Sequence, residues 1–306
     1  MLFDDLKRSL RIVRSQSRTF TPSVRWLVLR SIALFLITFS LAGFASAATF
    51  TVTKTADTND GACNADCSLR EALVAANAAP NADVIEFEAT VFSTPQTIVL
   101  NGTNLTIAEL TSLTINGPGS SLLTISANGL SRVFIAEAGT TTTIRNLTIA
   151  NGRATTNGGG AGVYQAGGAL AIENVVFSNN TSVGEGGAIY AVSGSMTVTG
   201  STFANNRSDL EGGAIAGNTF SGDPPPITIS NSTFTGNSSI GRAGGAISGI
   251  LTLIVSDSTF TNNSAPSGGA ASSGSFTNVT FNNNTATSFA GGARTPVEPA
   301  GSGSGT

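Results

Sequence analysis

A Gly-Gly-Ala phrase recurs through the second half of this sequence, and behind every copy but the last a Phe-x-x-Asn phrase follows. The openings lie at Gly167, Gly186, Gly212, Gly244, Gly268 and Gly291. The closures are Phe177/Asn180, Phe203/Asn206, Phe234/Asn237, Phe260/Asn263 and Phe281/Asn284. Successive phenylalanines are separated by 26, 31, 26 and 21 residues, a period too short for independent domains and right for one supersecondary unit per repeat. A single such unit cannot bury its own apolar face, so the copies must stack.

The five closures show what the unit is. Three positions before each Phe stands Asn174, Gly200, Asn231, Asp257 or Asn278, residue types that tolerate a tight or left-handed turn. Five and seven positions before it stand Ile172 and Leu170, Val198 and Met196, Ile229 and Ile227, or Val255 and Leu253, with Phe276 and Gly274 in the last unit. Apolar residues alternating with Thr or Ser have the period of a strand. Each repeat therefore reads as strand, bend, short strand carrying Phe inward, then an Asn corner, and the stack as an all-β parallel β-helix. Residues 83–152 read as earlier coils of the same kind, with Asn146 at the bend and Ile149 in the Phe place. Asn-Gly pairs such as Asn101-Gly102 and Asn116-Gly117 also suit hairpins, so a stack of antiparallel hairpins is the competing architecture.

In a parallel stack, the repeated phenylalanines fall about 4.8 Å apart and form an aromatic column. The repeated asparagines form an amide ladder from coil to coil. Both roles are structural.

Composition supports a folded, exported chain. Hydrophobic residues make up 40% of 306, enough for a sizeable core, while only 11% are charged. Residues 1–47 have the build of a signal peptide: cations from Lys7 to Arg30, an apolar run from Ile32 to Phe44, and the small residues Ala45-Ser46-Ala47. An uncleaved membrane anchor is the alternative, and Arg30 and the modest apolar length weigh against it. Beyond the first 30 residues the chain carries 8 basic against 16 acidic residues, a balance of about −8. Sparse cations on an acidic surface exclude a nucleic-acid partner. A membrane enters only through transient export or an anchor outside this pattern.

Residues 48–82 differ from the repeats. Thr49 to Thr53 alternate as a strand, and Cys63 and Cys67, the two cysteines of the chain, stand close enough in an exported protein to suggest a disulfide clasp. Ser68 and Glu71 have capping-box spacing, ahead of a short helix with Leu69, Leu73 and Ala76 on one face and Pro80-Asn81 at its end. Such a helix would lid the open end of a β-helix. The run Cys67-Ser68-Leu69-Arg70-Glu71-Ala72 resembles the signature of the CSLREA domain. The GGAI and Phe-x-x-Asn units resemble the repeats of chlamydial polymorphic outer-membrane proteins. These resemblances imply a right-handed β-helix at the cell surface or outside the cell, and they imply no catalytic residues.

The remaining boundaries follow. Residues 83–293 are the β-helix repeats, with the insert Thr219 to Pro226 explaining the 31-residue step, and residues 294–306 are a flexible Pro/Gly/Ser tail. A translocator barrel of the kind that polymorphic outer-membrane proteins carry has no room in this sequence.

Could such a chain be an enzyme? β-helices also host pectin-lyase-like chemistry, which needs convergent acidic groups and an Arg or Lys. The best cluster is Arg207, Asp209 and Glu211, with Arg242 approaching from a later coil. A charge cluster in a turn is more often a solvated face. With no histidine in the chain, His bases and His metal sites are excluded. Asp57, Asn59, Asp60, Asn64 and Asp66 lack the register of a calcium loop. The sequence thus leads to a structural or adhesive protein with no catalytic residue, metal or cofactor, and with an unidentified glycan or protein as surface ligand. The alternative is a polysaccharide lyase or hydrolase acting outside the cell.

Overall fold

A computed structural model describes residues 47–79, 81–108, 112–155, 158–217, 226–249 and 252–288. The export segment, most of the insert after Asn218, the Gly291 opening and the tail lie outside the described residues. The rest is a parallel β-helix.

One coil illustrates the whole. Strands β15 (Ile189–Ala191), β16 (Ser195–Thr199), β17 (Thr202–Ala204) and β18 (Arg207–Ser208) follow one another around the axis. Each joins a different sheet, of six, nine, eight and six strands respectively. Every strand pairing in these sheets is parallel, which removes the antiparallel hairpin alternative. Parallel neighbours require the chain to travel a full turn between them, so the Asn-Gly pairs turn the chain onward instead of back. The coil also has two strands more than the sequence suggests: the residues directly after the glycine opening, such as Ile189, form a short strand before the alternating one, and the residues after the closing Asn, such as Arg207 and Ser208, form another.

The register also corrects one opening. Val163 pairs with Ile189, so Gly160, with φ of 65°, is the equivalent of Gly186. Gly167 lies instead beside the alternating strand, because Ala169 pairs with Ser195. A glycine-rich run from Gly158 to Gly162 precedes a second Gly-Gly-Ala, and composition alone cannot tell which of two such phrases turns the chain.

Alternation sends one set of side chains inward. Ile98, Ile125, Ile149, Phe177, Phe203, Phe234, Phe260 and Phe281 pair in that order along one column. The rings of Phe177, Phe203, Phe234 and Phe260 stack with centroids 4.7–4.8 Å apart and planes within 5° of parallel. Phe281 continues the stack at 5.2 Å, and Phe276 meets both Phe260 and Phe281 edge-on.

Two left-handed residues bend each coil. The first is at Asn146, Asn174, Gly200, Asn231, Asp257 or Asn278. The second is Asn151, followed by Gly152, or Asn179, Asn205, Gly236, Asn262 or Asn283, each one position before a closing Asn, so the closing Asn itself does not make the corner. Freed from the turn, it points inward. Asn180, Asn206, Asn237 and Asn263 are fully buried. Each side-chain amide donates to the next Asn Oδ1 at 2.9–3.0 Å, ending at Asn284. A serine ladder that the sequence pattern did not reveal runs beside it, with Ser201, Ser232 and Ser258 accepting from the backbone N–H of Val175, Ser201 and Ser232.

Helix α1 (Leu69–Ala78) packs against β1 (Thr49–Val52), β2 (Ala82–Phe87) and β4 (Leu105–Ile107) and buries Leu69, Ala72, Leu73 and Ala76. Strand β1 belongs to the nine-stranded sheet through its pairing with β2. Ser68 and Glu71 form the reciprocal cap: Ser68 Oγ accepts from Glu71 N–H, and Glu71 Oε2 accepts from Ser68 N–H at 2.7 Å.

Candidate functional site

The phenylalanines and closing asparagines make contacts within the stack and leave no polar atom for a ligand. Each Asn also donates to the carbonyl of a column residue on the preceding coil, Ile149 O for Asn180 and a Phe O for the others, as Asn237 does to Phe203 O at 2.9 Å. The cap residues are committed too. Cys63 and Cys67 are joined by a disulfide. Burial alone would raise the Glu71 carboxyl, but hydrogen bonds from Ser68 N–H, Asp60 N–H and the Thr58 hydroxyl outweigh it and hold the pKa at about 2. In the acidic loop before them, Asp57 is gripped by Arg70 at 2.8 and 2.9 Å, and Asp66 pairs with Lys54 at 3.1 Å. Among the described residues no three Cys, Asp or Glu side chains converge as a metal cage.

Two places on the outside remain. The first is a groove of about 590 Å³ along the corner that leads into the two-residue strands. Asn128, Asn151 and Asn179 line it from the left-handed corners, with Arg153, Thr181, Val183, Arg207 and Asp209 from the strands and just beyond. Arg207 Nη2 lies 3.1 Å from Asp209 Oδ1.

The second lies on the sheet that carries the residues following the glycine openings. Here Glu185 and Glu211 occupy equivalent positions on neighbouring coils, each just before its Gly-Gly-Ala. Tyr190 neighbours Glu185, and Tyr164 stands one coil away with its ring centroid 6.0 Å from that of Tyr190. Ser248 Oγ donates to Glu211 Oε2 at 3.1 Å, and Arg242 Nη1 lies 3.4 Å from Glu211 Oε1. The Arg132 guanidinium sits 5.3 Å over the Tyr164 ring and donates to the carbonyls of Gly158 and Gly159. Burial raises the Glu185 pKa, and the neighbouring Glu211 charge raises it further, against the opposing Tyr190 bond and Arg242 charge. Burial likewise pushes the Tyr190 hydroxyl up, helped by the Glu185 charge.

The acidic cluster named from sequence is thus split. Arg207 and Asp209 pair in the groove, while Glu211 turns to Arg242 and Ser248, so the three do not form one constellation. Glu185, Tyr164, Tyr190 and Arg153 were not singled out from sequence. A signal for Glu185 was there: Glu-Gly-Gly-Ala-Ile occurs twice, at Glu185 and Glu211, and a one-period offset puts the two carboxylates side by side.

A family model described as "Right handed beta helix region" matches residues 96–294. No curated protein matches the chain.

Proposed function

We propose a function from this premise: the chain belongs to the right-handed β-helix family. We infer that it is an exported protein, secreted or held at the cell surface, with a structural or adhesive role. In this reading residues 1–47 are a signal peptide, 48–82 a CSLREA-type cap, 83–293 the repeats and 294–306 a tail; the repeats are of the polymorphic outer-membrane protein kind.

One observation carries the reading: the buried asparagine and serine ladders are bonded within the stack, and what faces outward is a row of mostly small polar side chains. On the nine-stranded sheet this row runs Thr114, Thr143, Thr197, Thr228 and Ser275, interrupted by Ala171 and Ile254. A long flat wall at strand spacing offers many weak contacts to an extended partner, which is how solenoids bind. The test is to apply the purified chain to a panel of immobilised glycans and bacterial envelopes. Saturable retention supports the reading, and the absence of retention on every surface ends it.

A second reading is favoured by Glu185 and Glu211. Two carboxylates one coil apart, one with a raised pKa, have the makings of a general acid and its partner in glycan cleavage. Release of reducing ends or unsaturated uronates from a polysaccharide, abolished by Glu185→Gln and by Glu211→Gln, would establish catalysis and displace the purely adhesive role.

A further inference from the structure

The chain contains two tyrosines in 306 residues, and the fold sets them side by side. Tyr164 and Tyr190 pair in register on neighbouring coils, on the outer face of the sheet that follows the glycine openings. Their neighbours in the same column are Ile135 on one side and Ala216 on the other. The ring centroids are 6.0 Å apart with planes at 47°, within the contact range of aromatic pairs. The surroundings of the two rings differ. Tyr164 is half-buried and lies 5.3 Å from the Arg132 guanidinium, which donates to the carbonyls of Gly158 and Gly159 and so holds the ring in place. Tyr190 is buried, with only 8% of its surface exposed, and its neighbour is the Glu185 carboxyl.

Two phenols in contact share a chemistry, which is one-electron oxidation. A phenol that loses an electron and its hydroxyl proton becomes a phenoxyl radical, with spin on the ring carbons beside the oxygen. Two such radicals couple carbon to carbon. The cation over Tyr164 is attracted to an electron-rich ring and disfavours an electron-poor one there. At Tyr190 the Glu185 carboxylate gives the departing proton an acceptor. An oxidant that meets Tyr164 therefore draws an electron through it from Tyr190, and a second electron taken from Tyr164 completes the radical pair.

We propose that Tyr164 and Tyr190 form a site of oxidative modification, joined by hydrogen peroxide and a one-electron peroxidase into a dityrosine staple between neighbouring coils. One ring C–C bond forms, and the hydrogen on each joined carbon moves to its phenol oxygen. The two residues together lose two hydrogen atoms, which convert one peroxide into two waters. Among the described residues the disulfide Cys63–Cys67 lies in the cap and leaves the repeats without a covalent tie. The staple closes one full coil and restricts the unfolded chain as a disulfide does, yet no reductant opens it. This inference is independent of both the adhesive and the catalytic readings.

The test is exposure of the intact chain, at low concentration, to hydrogen peroxide and a haem peroxidase. Dityrosine fluorescence should appear in the monomer, with a mass lower by two hydrogen atoms. Cleavage after Glu173 and Glu185 should then leave the peptides bearing Tyr164 and Tyr190 joined. Tyr164→Phe and Tyr190→Phe, which keep both rings, should each abolish the monomer signal. Glu185→Gln should slow its appearance several-fold. Circular dichroism shows whether each variant keeps the β-helix. The stapled chain should melt several degrees above the untreated one, with or without reductant. A folded protein that yields no dityrosine, a signal confined to dimers and growing with concentration, or a monomer signal that survives in either Phe variant overturns the proposal. An unchanged melting temperature in the joined chain overturns its role as a staple, and an unchanged rate in Glu185→Gln overturns the assignment of the proton acceptor.

Discussion

The Asn206 side chain donates to Asn237 Oδ1 at 3.0 Å, and the Asn206 backbone N–H donates to the same oxygen at 3.0 Å. These residues are 31 positions apart, farther than in the neighbouring rungs, yet the bond lengths match those between Asn180 and Asn206, 26 apart. The ladder is therefore indifferent to the length of the excursion between rungs.

Removing one rung exposes that dependence. Asn237→Ala leaves Phe203 O and the Asn206 amides without partners in a fully buried place. At about 1–3 kcal/mol per orphaned group, the loss should be about 3 kcal/mol or more. Asn284→Ala, at the partly exposed end of the ladder, should cost about 1 kcal/mol, since water replaces the lost bonds. Urea denaturation of the two variants checks the contrast, and equal losses would refute it.

The aromatic column predicts a second contrast. Phe234 is stacked at 4.7 Å on both sides, so Phe234→Ala should cost about 3–5 kcal/mol through lost burial and a residual cavity. Phe177→Ile should cost less, because Ile149 already occupies the adjoining rung and the aliphatic stack simply extends by one. Melting temperatures measure both.

Gly213 is required by close approach. A Cβ there would lie 2.2 Å from Gly245 O and 2.5 Å from Ser238 N, both backbone atoms of the next coil. Gly213→Ala should therefore break the pairing of neighbouring coils and yield insoluble or protease-sensitive protein, whereas a soluble variant with an unchanged melting temperature would contradict this packing.

Acid should loosen the cap first. The Glu71 pKa is depressed from 4.5 to about 2 in the folded chain, so its contribution is complete above about pH 4.5 and is lost as pH falls toward 2. At 1.36 kcal/mol per pKa unit the whole effect is about 3 kcal/mol. Hydrogen exchange across Leu69–Ala78 should accelerate through that window, and Glu71→Gln should remove the pH dependence while weakening the cap at neutral pH.

Reduction of Cys63–Cys67 acts on the same region. Its closed loop is short, so the chain-entropy contribution is about 2 kcal/mol. Faster exchange in α1 with unchanged protection at Phe203 and Phe234 is the expected result, and a uniform loss along the solenoid would disprove a local role.

Residue type and spacing were enough for the architecture: alternating Ile, Val and Leu with Thr and Ser, a left-handed residue three before each Phe, and a constant Phe-x-x-Asn each encode a local geometry that neighbours need not supply. The cap was legible for the same reason, since Ser68 and Glu71 are three residues apart and bond to each other's backbone. What the sequence left open depended on register between coils. Gly160 and Gly167 look alike until pairing with Ile189 and Ser195 distinguishes them, and Asn179 and Asn180 until one turns the chain and the other is buried. The meeting of Glu185 with Glu211, the separation of Glu211 from Asp209, and the groove holding Arg153 were decided only by stacking. The meeting of the two glutamates and the groove each bring together side chains 26 or more residues apart through a strand spacing of about 4.8 Å, a distance that exists only once the chain has completed a turn.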